Sequence, residues 1–411
     1  MLDVGLAQWN VSLGLSDASY YYLQADKLAH GHWFVNPFTL PNAPQIRPSA
    51  AHPPLFTLTL AGADVLWAWS VNATRLLCCV IGGVGVFMVG VLGREVGGRR
   101  VGFLAAAIAA VYPVWWITDG LVLSEVLYMP LVAGLLLLAY RLWYRPRIMT
   151  AVAIGAVGGL AGLTRSEGLL LLIVVAAAVL FLKRTLTLRH RVHLFGATVL
   201  AAALVVAPWI GFNAARFNHV VYMSTNNGAT IADSNCPQTY FGLHVGGFIP
   251  FCHTPKVREP GDESDVSSTL VAVGFRYARN HASRVPAVMA ARVGRVWGVF
   301  RPAQTIDLDS YGRWSHDDSR LMLYSFYGVA LAGIVGMFVL RRREITIVPF
   351  VAAIIAVTVG ASLFYGIIRF RVPGDVAAVV LAAVALDAAL SRTRGNAAHR
   401  GGTRALPTPT S

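Results

Sequence analysis

Long apolar stretches alternate along this chain with short polar breaks that carry arginine. Stretches of this length are typical of helices that cross the hydrocarbon core of a bilayer. The pattern predicts an all-α integral membrane protein, a polytopic helical bundle of about nine spans with one interfacial helix and an extracytoplasmic cap loop. The predicted spans cover residues 72–92, 101–118, 121–142, 150–165, 167–183, 194–213, 321–340, 345–366 and 373–391.

Composition agrees with a bilayer environment. Hydrophobic residues make up 56% of the 411 and charged residues 13%, with a mean hydropathy of +0.58, which is far more apolar than a soluble domain. The net charge of +14 would raise the question of nucleic acid in a soluble protein. Here the arginines stand between apolar stretches, so no nucleic-acid partner is expected. Abundant Arg, Ala, Val and Gly with few lysines indicate a GC-rich bacterial genome.

The arginine-bearing loops assign a side of the membrane to each segment. Cytoplasmic loops are enriched in Arg and Lys, and four such loops and the C-terminal tail share one face. The polar motifs then fall on the opposite, extracytoplasmic face of a multi-pass cell-membrane protein. The predicted regions are a first outer loop with an interfacial helix at 1–71, a transmembrane bundle at 72–213, the cap at 214–320, C-terminal spans at 321–391 and a disordered cytoplasmic tail at 392–411.

Two features of the N-terminal region depart from this simple pattern. The apolar stretch 54–69 is short and is interrupted by Asp64, so we expect an interfacial helix there. Nothing in residues 1–17 could span a membrane, although the first loop must reach the outer face. A preceding helix absent from this sequence is expected, and translocation of the N-terminal tail is the alternative.

The first polar motif contains Asp17, which heads a helix bearing Tyr20, Tyr21 and Tyr22. A carboxylate just outside the bilayer can accept a proton from a hydroxyl nucleophile. Helix capping by Ser16 or Asp17 is the alternative reading.

The second motif places a lone Glu125 near the outer end of an apolar helix. Charges are costly at such positions, so an ionisable residue there indicates a function. A glutamate that reaches water at the interface is the alternative. Arg75 and Arg165 follow the same logic, although Arg165 could simply pair with Glu167.

The third motif is Arg369-Phe370-Arg371, which precedes the last predicted span on the outer face. Arginine on this side runs against the positive-inside rule, so a local anion such as phosphate is expected to retain it. Anchoring to lipid headgroups is the alternative.

Cys236 and Cys252 lie in the cap loop on the oxidising side, and we expect them to form a disulfide. Free thiols, or a metal site that uses His244 or His253, are the alternatives. Cys78 and Cys79 are expected to stay reduced.

In this order the motifs resemble the GT-C superfamily of membrane glycosyltransferases, in particular protein O-mannosyltransferases and lipid A aminoarabinose transferases. The resemblance covers most of residues 15–230 and the last span. It rests on the acidic motif with its tyrosines, His52-Pro53-Pro54-Leu55-Phe56, Thr74-Arg75-Leu76-Leu77, Ser124-Glu125, Leu163-Thr164-Arg165-Ser166-Glu167-Gly168, Pro208-Trp209 with Asn213, Ser224-Thr225-Asn226-Asn227-Gly228 and Arg369-Phe370-Arg371-Val372-Pro373.

The resemblance implies a polyprenyl-phosphate-linked sugar donor and a lipid, protein or glycan acceptor. It assigns the base or acceptor-binding role to Asp17 and a place near the donor phosphate to His52. Relatives often carry a second acidic residue where this chain has Ala18, so a divalent metal is not indicated and no cofactor is expected. The candidate catalytic residues are Asp17 and Glu125, and the candidate substrate-binding residues are Tyr21, His52, Arg75, Arg165, Asn226, Arg369 and Arg371.

An inverting sugar transfer with Asp17 as base is therefore the expected function. The alternative is a polytopic lipid or solute transporter or flippase, which would also combine many spans with buried charges. No inverted repeat is visible in the sequence, and the charges gather on one predicted face. A purely structural scaffold would have no reason to retain Arg369 and Arg371 on the outer side.

Overall fold

The computed structural model describes residues 13, 16–38, 47–66, 70–250, 252, 261–309 and 314–401. Within them the chain is helical, apart from one isolated bridge between Val35 and Pro48. The α-helices are α1 Asp17–Ala29, α2 Pro54–Leu66, α3 Val71–Val111, α4 Pro113–Asp119, α5 Glu125–Tyr144, α6 Ile148–Thr164, α7 Glu167–Phe181, α8 Leu188–Ala214, α9 Asn227–Ser234, α10 Pro237–Tyr240, α11 Glu263–Asn280, α12 Val285–Val296, α13 Pro302–Asp309, α14 His316–Arg342, α15 Val348–Leu363 and α16 Val372–Gly401.

Helix α3 is a hairpin that contains two of the predicted spans. The chain reverses at Gly98, whose φ of 85° is open to glycine and strained for other residues. The two arms touch closely, since a Cβ on Gly93 would lie 2.8 Å from the Cβ of Ala105. The arginine-bearing loop predicted at 93–100 is therefore a tight turn between two helical arms.

A helix lies at each of the nine predicted spans, which confirms a helical membrane fold. Among the described residues, five helices are long and apolar enough to cross a membrane, namely α3, α5, α8, α14 and the helical stretch Ile368–Arg392. Helices α6, α7 and α15 have 15 to 17 residues. The span predicted at 101–118 is divided at Pro113, which lacks an N–H to continue the helix and begins α4. The number of crossings stays a prediction.

The observed helix bounds differ from the predicted ones near both ends of the chain. Helix α2 occupies the described part of the expected interfacial helix 54–69. Helix α16 continues to Gly401, beyond the predicted end of the last span at residue 391 and into the expected tail. Residues 1–12 of the predicted first loop and residues 402–411 of the predicted tail lie outside the described residues.

Two apolar clusters organise the packing. The larger one joins α3, α5, α7, α14, α15 and α16 through leucine, valine and alanine side chains. The smaller one lies at one end of the bundle, where α1 and α2 pack beside the start of α5 through Tyr21, Phe56 and Val122. Burial of these aromatic and aliphatic side chains fixes α1 above the bundle. The first residue of α1 is thereby brought to the ends of α5 and α7.

The cap contributes α9 and α11, which pack on each other, and α12, which packs on α15. A disulfide joins Cys236 and Cys252 within the cap, while Cys78 and Cys79 are buried free thiols in α3. His253 lies outside the described residues.

Candidate active site

Three carboxylates and two arginines meet at the end of the bundle covered by α1. Arg369 donates through Nη1 to Asp17 Oδ2 at 2.7 Å and through Nε to Glu125. Arg165 contacts Glu125 Oε1 at 2.8 Å through Nη1 and donates through Nε to Glu167. We call these five residues the carboxylate–arginine cluster. They come from four sequence motifs that are separated by up to 352 residues.

Each carboxylate of the cluster belongs to the first residue of a helix. Asp17, Glu125 and Glu167 are the first residues of α1, α5 and α7. The N-terminal end of a helix carries a partial positive charge, which favours a carboxylate at this position. Ser16 is the N-cap of α1, so the capping alternative applies to Ser16, and the Asp17 carboxylate binds Arg369 instead.

The side chains of the two candidate catalytic residues differ in their exposure to solvent. The Asp17 side chain is 25% exposed, whereas the Glu125 side chain is 5% exposed and lies between two guanidinium groups. A substrate hydroxyl can therefore approach Asp17 more readily. Glu125 is placed to hold Arg165 and Arg369 in position.

His52 lies beside the cluster, with Nε2 3.9 Å from Asp17 Oδ1. The rings of Tyr20 and Tyr21 flank its imidazole at centroid distances of 4.8 and 4.9 Å. Burial, with a smaller contribution from the nearby Asp17 carboxylate, raises the pKa of Tyr21. The Tyr21 phenol is therefore neutral, and it lines this part of the site.

Asn226 is exposed in a turn that contacts the His52 loop. The neighbouring Ser224 hydroxyl donates to the carbonyl of Ala51 at 2.5 Å, and the N–H of Thr225 donates to the carbonyl of Ala50 at 2.8 Å. These bonds bring the Ser224–Gly228 motif next to the loop that contains His52.

Glu263 has a structural role that the sequence did not reveal. Its Oε2 accepts hydrogen bonds from the N–H of Ala50 at 3.1 Å, the hydroxyl of Ser49 at 3.1 Å and the hydroxyl of Thr225 at 2.9 Å. Burial raises the pKa of this carboxyl, and the three hydrogen bonds oppose the rise. Glu263 thus ties the cap helix α11 to the His52 loop. The acidic start of α11 was visible in the sequence, but its partners 213 residues away were not.

Arg371 lies inside the bundle, so its predicted contact with a phosphate stays a prediction. This side chain is fully buried, its Nε lies 2.9 Å from Asp375 Oδ1, and its guanidinium stacks 3.6 Å from the ring centre of Phe326. Tyr112 also donates to Asp375. An external phosphate cannot reach Arg371 without displacing this packing, so we assign it to the bundle. Arg75 is likewise buried, at the first turn of α3 and one helical turn before Cys78.

The possible metal ligands lie apart from the cluster. Among the described residues, Asp26, His30 and Asp64 form the one group whose ligand atoms all lie within 4.8 Å of one another. Asp26 and His30 lie at the far end of α1, with Asp26 about 13 Å along the helix from Asp17, and Asp64 lies in α2. The carboxylates of the cluster already bind arginine, and a divalent cation would have to compete with those guanidinium groups.

Two cavities adjoin the cluster, and α5 contributes to the lining of both. The first, of about 410 Å³, is bordered by Glu125 and Arg369 and is lined by Val114, Trp115, Thr118, Asp119, Val126, Met129, Trp314, Ile368 and Val372. The second, of about 310 Å³, is bordered by Glu167 and Phe370 and is lined by Tyr128, Leu171, Ala356, Val357, Gly360, Phe364 and Pro373. The cluster therefore separates a tryptophan-lined cavity from an apolar one.

Comparison with known proteins agrees with this arrangement. Residues 51–212, less than half of the chain, match the family model of dolichyl-phosphate-mannose-protein mannosyltransferases. No curated protein sequence matches the chain.

Solved structures extend the likeness to the whole chain. The archaeal oligosaccharyltransferase AglB from Archaeoglobus fulgidus, in complex with an inhibitory peptide and a dolichol-phosphate, aligns with a TM-score of 0.57 and 17% identity over 100% of this chain and 52% of its own. The apo form of the Archaeoglobus fulgidus enzyme aligns with a TM-score of 0.54 and 15% identity over 98% of this chain and 50% of its own. ArnT from Cupriavidus metallidurans bound to undecaprenyl phosphate aligns with a TM-score of 0.42 and 15% identity over 94% of this chain and 76% of its own.

These findings confirm the resemblance to the GT-C superfamily of membrane glycosyltransferases. The two alignments with TM-scores above 0.5 establish a shared fold, at sequence identities too low to carry over an activity. This chain spans about half the length of those oligosaccharyltransferases.

Proposed function

We propose that this protein is a membrane glycosyltransferase that moves a sugar from a polyprenyl-phosphate donor to an acceptor hydroxyl on the extracytoplasmic face. The observation that carries the proposal is the contact between Asp17 and Arg369, which places a partly exposed carboxylate next to a guanidinium that lines a cavity. Sugar transfer from a lipid phosphate needs this pair, a base for the acceptor and a cation for the leaving phosphate.

Arg369 and Arg165 are suited to the leaving phosphate. A guanidinium presents five N–H donors, and Arg369 directs one from Nε and one from Nη1 to carboxylates. The remaining donors can bind phosphate oxygens as negative charge grows on them. Glu125 holds the two guanidinium groups apart and oriented, and His52 adds a hydrogen-bond donor next to Asp17.

Asp17 is suited to act as the base in a single displacement. The acceptor hydroxyl gives its proton to the Asp17 carboxylate as its oxygen bonds to the anomeric carbon. The bond from that carbon to the phosphate oxygen breaks, and the polyprenyl phosphate leaves with the electron pair. One displacement inverts the anomeric centre, whereas retention would require a carboxylate nucleophile.

The second cavity is suited to the isoprenoid chain. Its lining is mainly apolar, and α15, which supplies three of the lining residues, also exposes Ile355, Val359 and Leu363 on its surface. Such a lining favours hydrocarbon over water. Phe370 joins this cavity to the cluster, since Arg165 lies 5.9 Å from its ring centre.

Transfer of radiolabelled sugar from a polyprenyl-phosphate donor by membranes that contain the protein tests the proposal. We expect Asp17→Asn to lower the turnover number by about 100-fold or more at unchanged expression, because the amide cannot accept the proton. Asp26→Asn on the same helix is the matched control and is expected to retain activity. Near-normal turnover of Asp17→Asn would exclude Asp17 as the base. Movement of lipid across vesicles without any transfer would support the transporter alternative instead.

A further inference from the structure

The loop that carries His52 depends on contacts from the cap for its position. Residues 49–53, which precede α2, belong to no helix or strand, and we call them the His52 loop. The carbonyl of Ala50 accepts a hydrogen bond from the N–H of Thr225 at 2.8 Å, and the carbonyl of Ala51 accepts one from the hydroxyl of Ser224 at 2.5 Å. These bonds fix the carbonyl groups of the loop.

Glu263 is the acceptor for the donors of the same loop. Its Oε2 accepts from the N–H of Ala50 at 3.1 Å and from the hydroxyl of Ser49 at 3.1 Å, and the hydroxyl of Thr225 donates to the same oxygen at 2.9 Å. Ser49 and Ala50 are fully buried, and Thr225 is 8% exposed. Buried donors are costly to leave without an acceptor, so this carboxyl oxygen determines where the loop lies.

The same contacts extend to the imidazole of His52. Tyr20, whose hydroxyl lies 3.1 Å from that of Ser49, packs against His52 with 4.8 Å between the ring centres. Glu263 therefore acts on His52 by two routes, the backbone of the loop and the contact between Ser49 and Tyr20. The imidazole Nε2 is 3.9 Å from Asp17 Oδ1, so a shift of the loop would move His52 within the site.

No role for Glu263 follows from the family match, which ends at residue 212. Glu263 is the first residue of α11, and α11 packs on α9, the helix that begins next to Asn226. The cap thus contributes to the site by anchoring a loop.

We propose that Glu263 is a positioning residue for donor binding, because it holds the His52 loop where the imidazole can contact the phosphate of a polyprenyl-phosphate donor. The inference rests on the proposed function. It requires that loss of the Glu263 acceptor weakens donor binding through His52. A residue that only stabilised the cap would affect folding and leave the affinity of the folded protein unchanged.

Equilibrium binding of polyprenyl phosphate to purified protein in detergent tests this role. Glu263→Met keeps the length of the side chain and removes the acceptor. We expect it to weaken binding about fivefold to tenfold, the effect of one lost hydrogen bond at His52. Glu263→Asp draws the carboxylate back by one methylene and should weaken binding in the same direction, even where Glu263→Met does not fold. Asp265→Asn is the matched control with wild-type affinity expected, because Asp265 joins α11 to Asn218 instead.

A double-mutant cycle shows whether Glu263 acts through His52. His52→Ala should weaken binding by a similar factor, and addition of Glu263→Met or Glu263→Asp to it should cause no further loss. Multiplication of the two losses, to about 25-fold or more, would overturn the inference, since the two residues would then act independently.

Hydrogen exchange of the His52 loop, followed by mass spectrometry, gives a readout that needs no ligand. The N–H of Ala50 loses its acceptor in Glu263→Met and should exchange faster than in the wild-type protein. Asp265→Asn should leave this exchange unchanged. Wild-type exchange of the loop in Glu263→Met would overturn the anchor.

The outcomes separate this inference from the proposed function. Wild-type affinity of Glu263→Asp, or of Glu263→Met in its folded form, would overturn the positioning role while leaving the function intact. Failure of the wild-type protein to bind polyprenyl phosphate would overturn both proposals.

Discussion

Glu125→Gln is the most direct test of the carboxylate–arginine cluster. Glu125 is 5% exposed and contacts both Arg165 and Arg369, so the substitution leaves two buried guanidinium groups facing a neutral amide. Removal of one partner from a buried ion pair typically costs about 3–5 kcal/mol. We expect a loss of this size in the free energy of unfolding and a fall of several degrees in the thermal midpoint.

The matched control is Glu167→Gln. Glu167 also begins a helix and pairs with Arg165, but it is 20% exposed and contacts one arginine. A more accessible pair is expected to contribute about 1 kcal/mol or less. Thermal unfolding of the detergent-solubilised variants, followed by circular dichroism, measures the difference. Equal midpoints for the two variants would show that Glu125 does not organise the two arginines as the structure indicates.

Three further outcomes test other parts of the structure. The folded pKa of Asp119, about 8, exceeds the ordinary value near 4, so the contribution of Asp119 to stability is greatest below about pH 4 and falls until about pH 8; relative to the wild type, Asp119→Asn should therefore gain stability in thermal unfolding as the pH rises over that interval and then level off. Cys236→Ser should destabilise the cap by about 3 kcal/mol, and alkylation of Cys236 or Cys252 in unreduced protein, detected by mass spectrometry, would contradict the disulfide. Arg371→Ala should lower the free energy of unfolding by about 3–5 kcal/mol, because Asp375 stays buried without its partner. The folded fraction should still bind polyprenyl phosphate. A loss of binding without a loss of stability would instead indicate that Arg371 contacts the donor.

The sequence was sufficient to predict the helices, and it singled out four residues that the structure brings into contact. Long apolar stretches can satisfy their backbone groups in a bilayer as helices, so the nine helical positions followed from local pattern alone. Asp17, Glu125, Arg165 and Arg369 were found because a charged residue next to such a stretch is costly and is seldom retained without a use.

The sequence did not indicate the cavity residues. Asp119 lies in a turn between two apolar stretches and could have been singled out by the same argument as Glu125. Trp115 and Trp314 carry no local signal, since tryptophan is common in membrane helices and at their ends. Their relation to Asp119 exists only after α4 and the start of α14 are packed together.

Tertiary structure decided which charges pair. Arg369 and Arg371 are two residues apart in one motif, and the sequence assigned both to phosphate. They lie in a 3₁₀ helix with three residues per turn, so their side chains leave the backbone about 120° apart. One therefore reaches Asp17 and Glu125, whereas the other enters the bundle and binds Asp375. A buried charge needs an opposite charge or several hydrogen bonds, and the positions of these partners are set by the packing of helices distant in sequence.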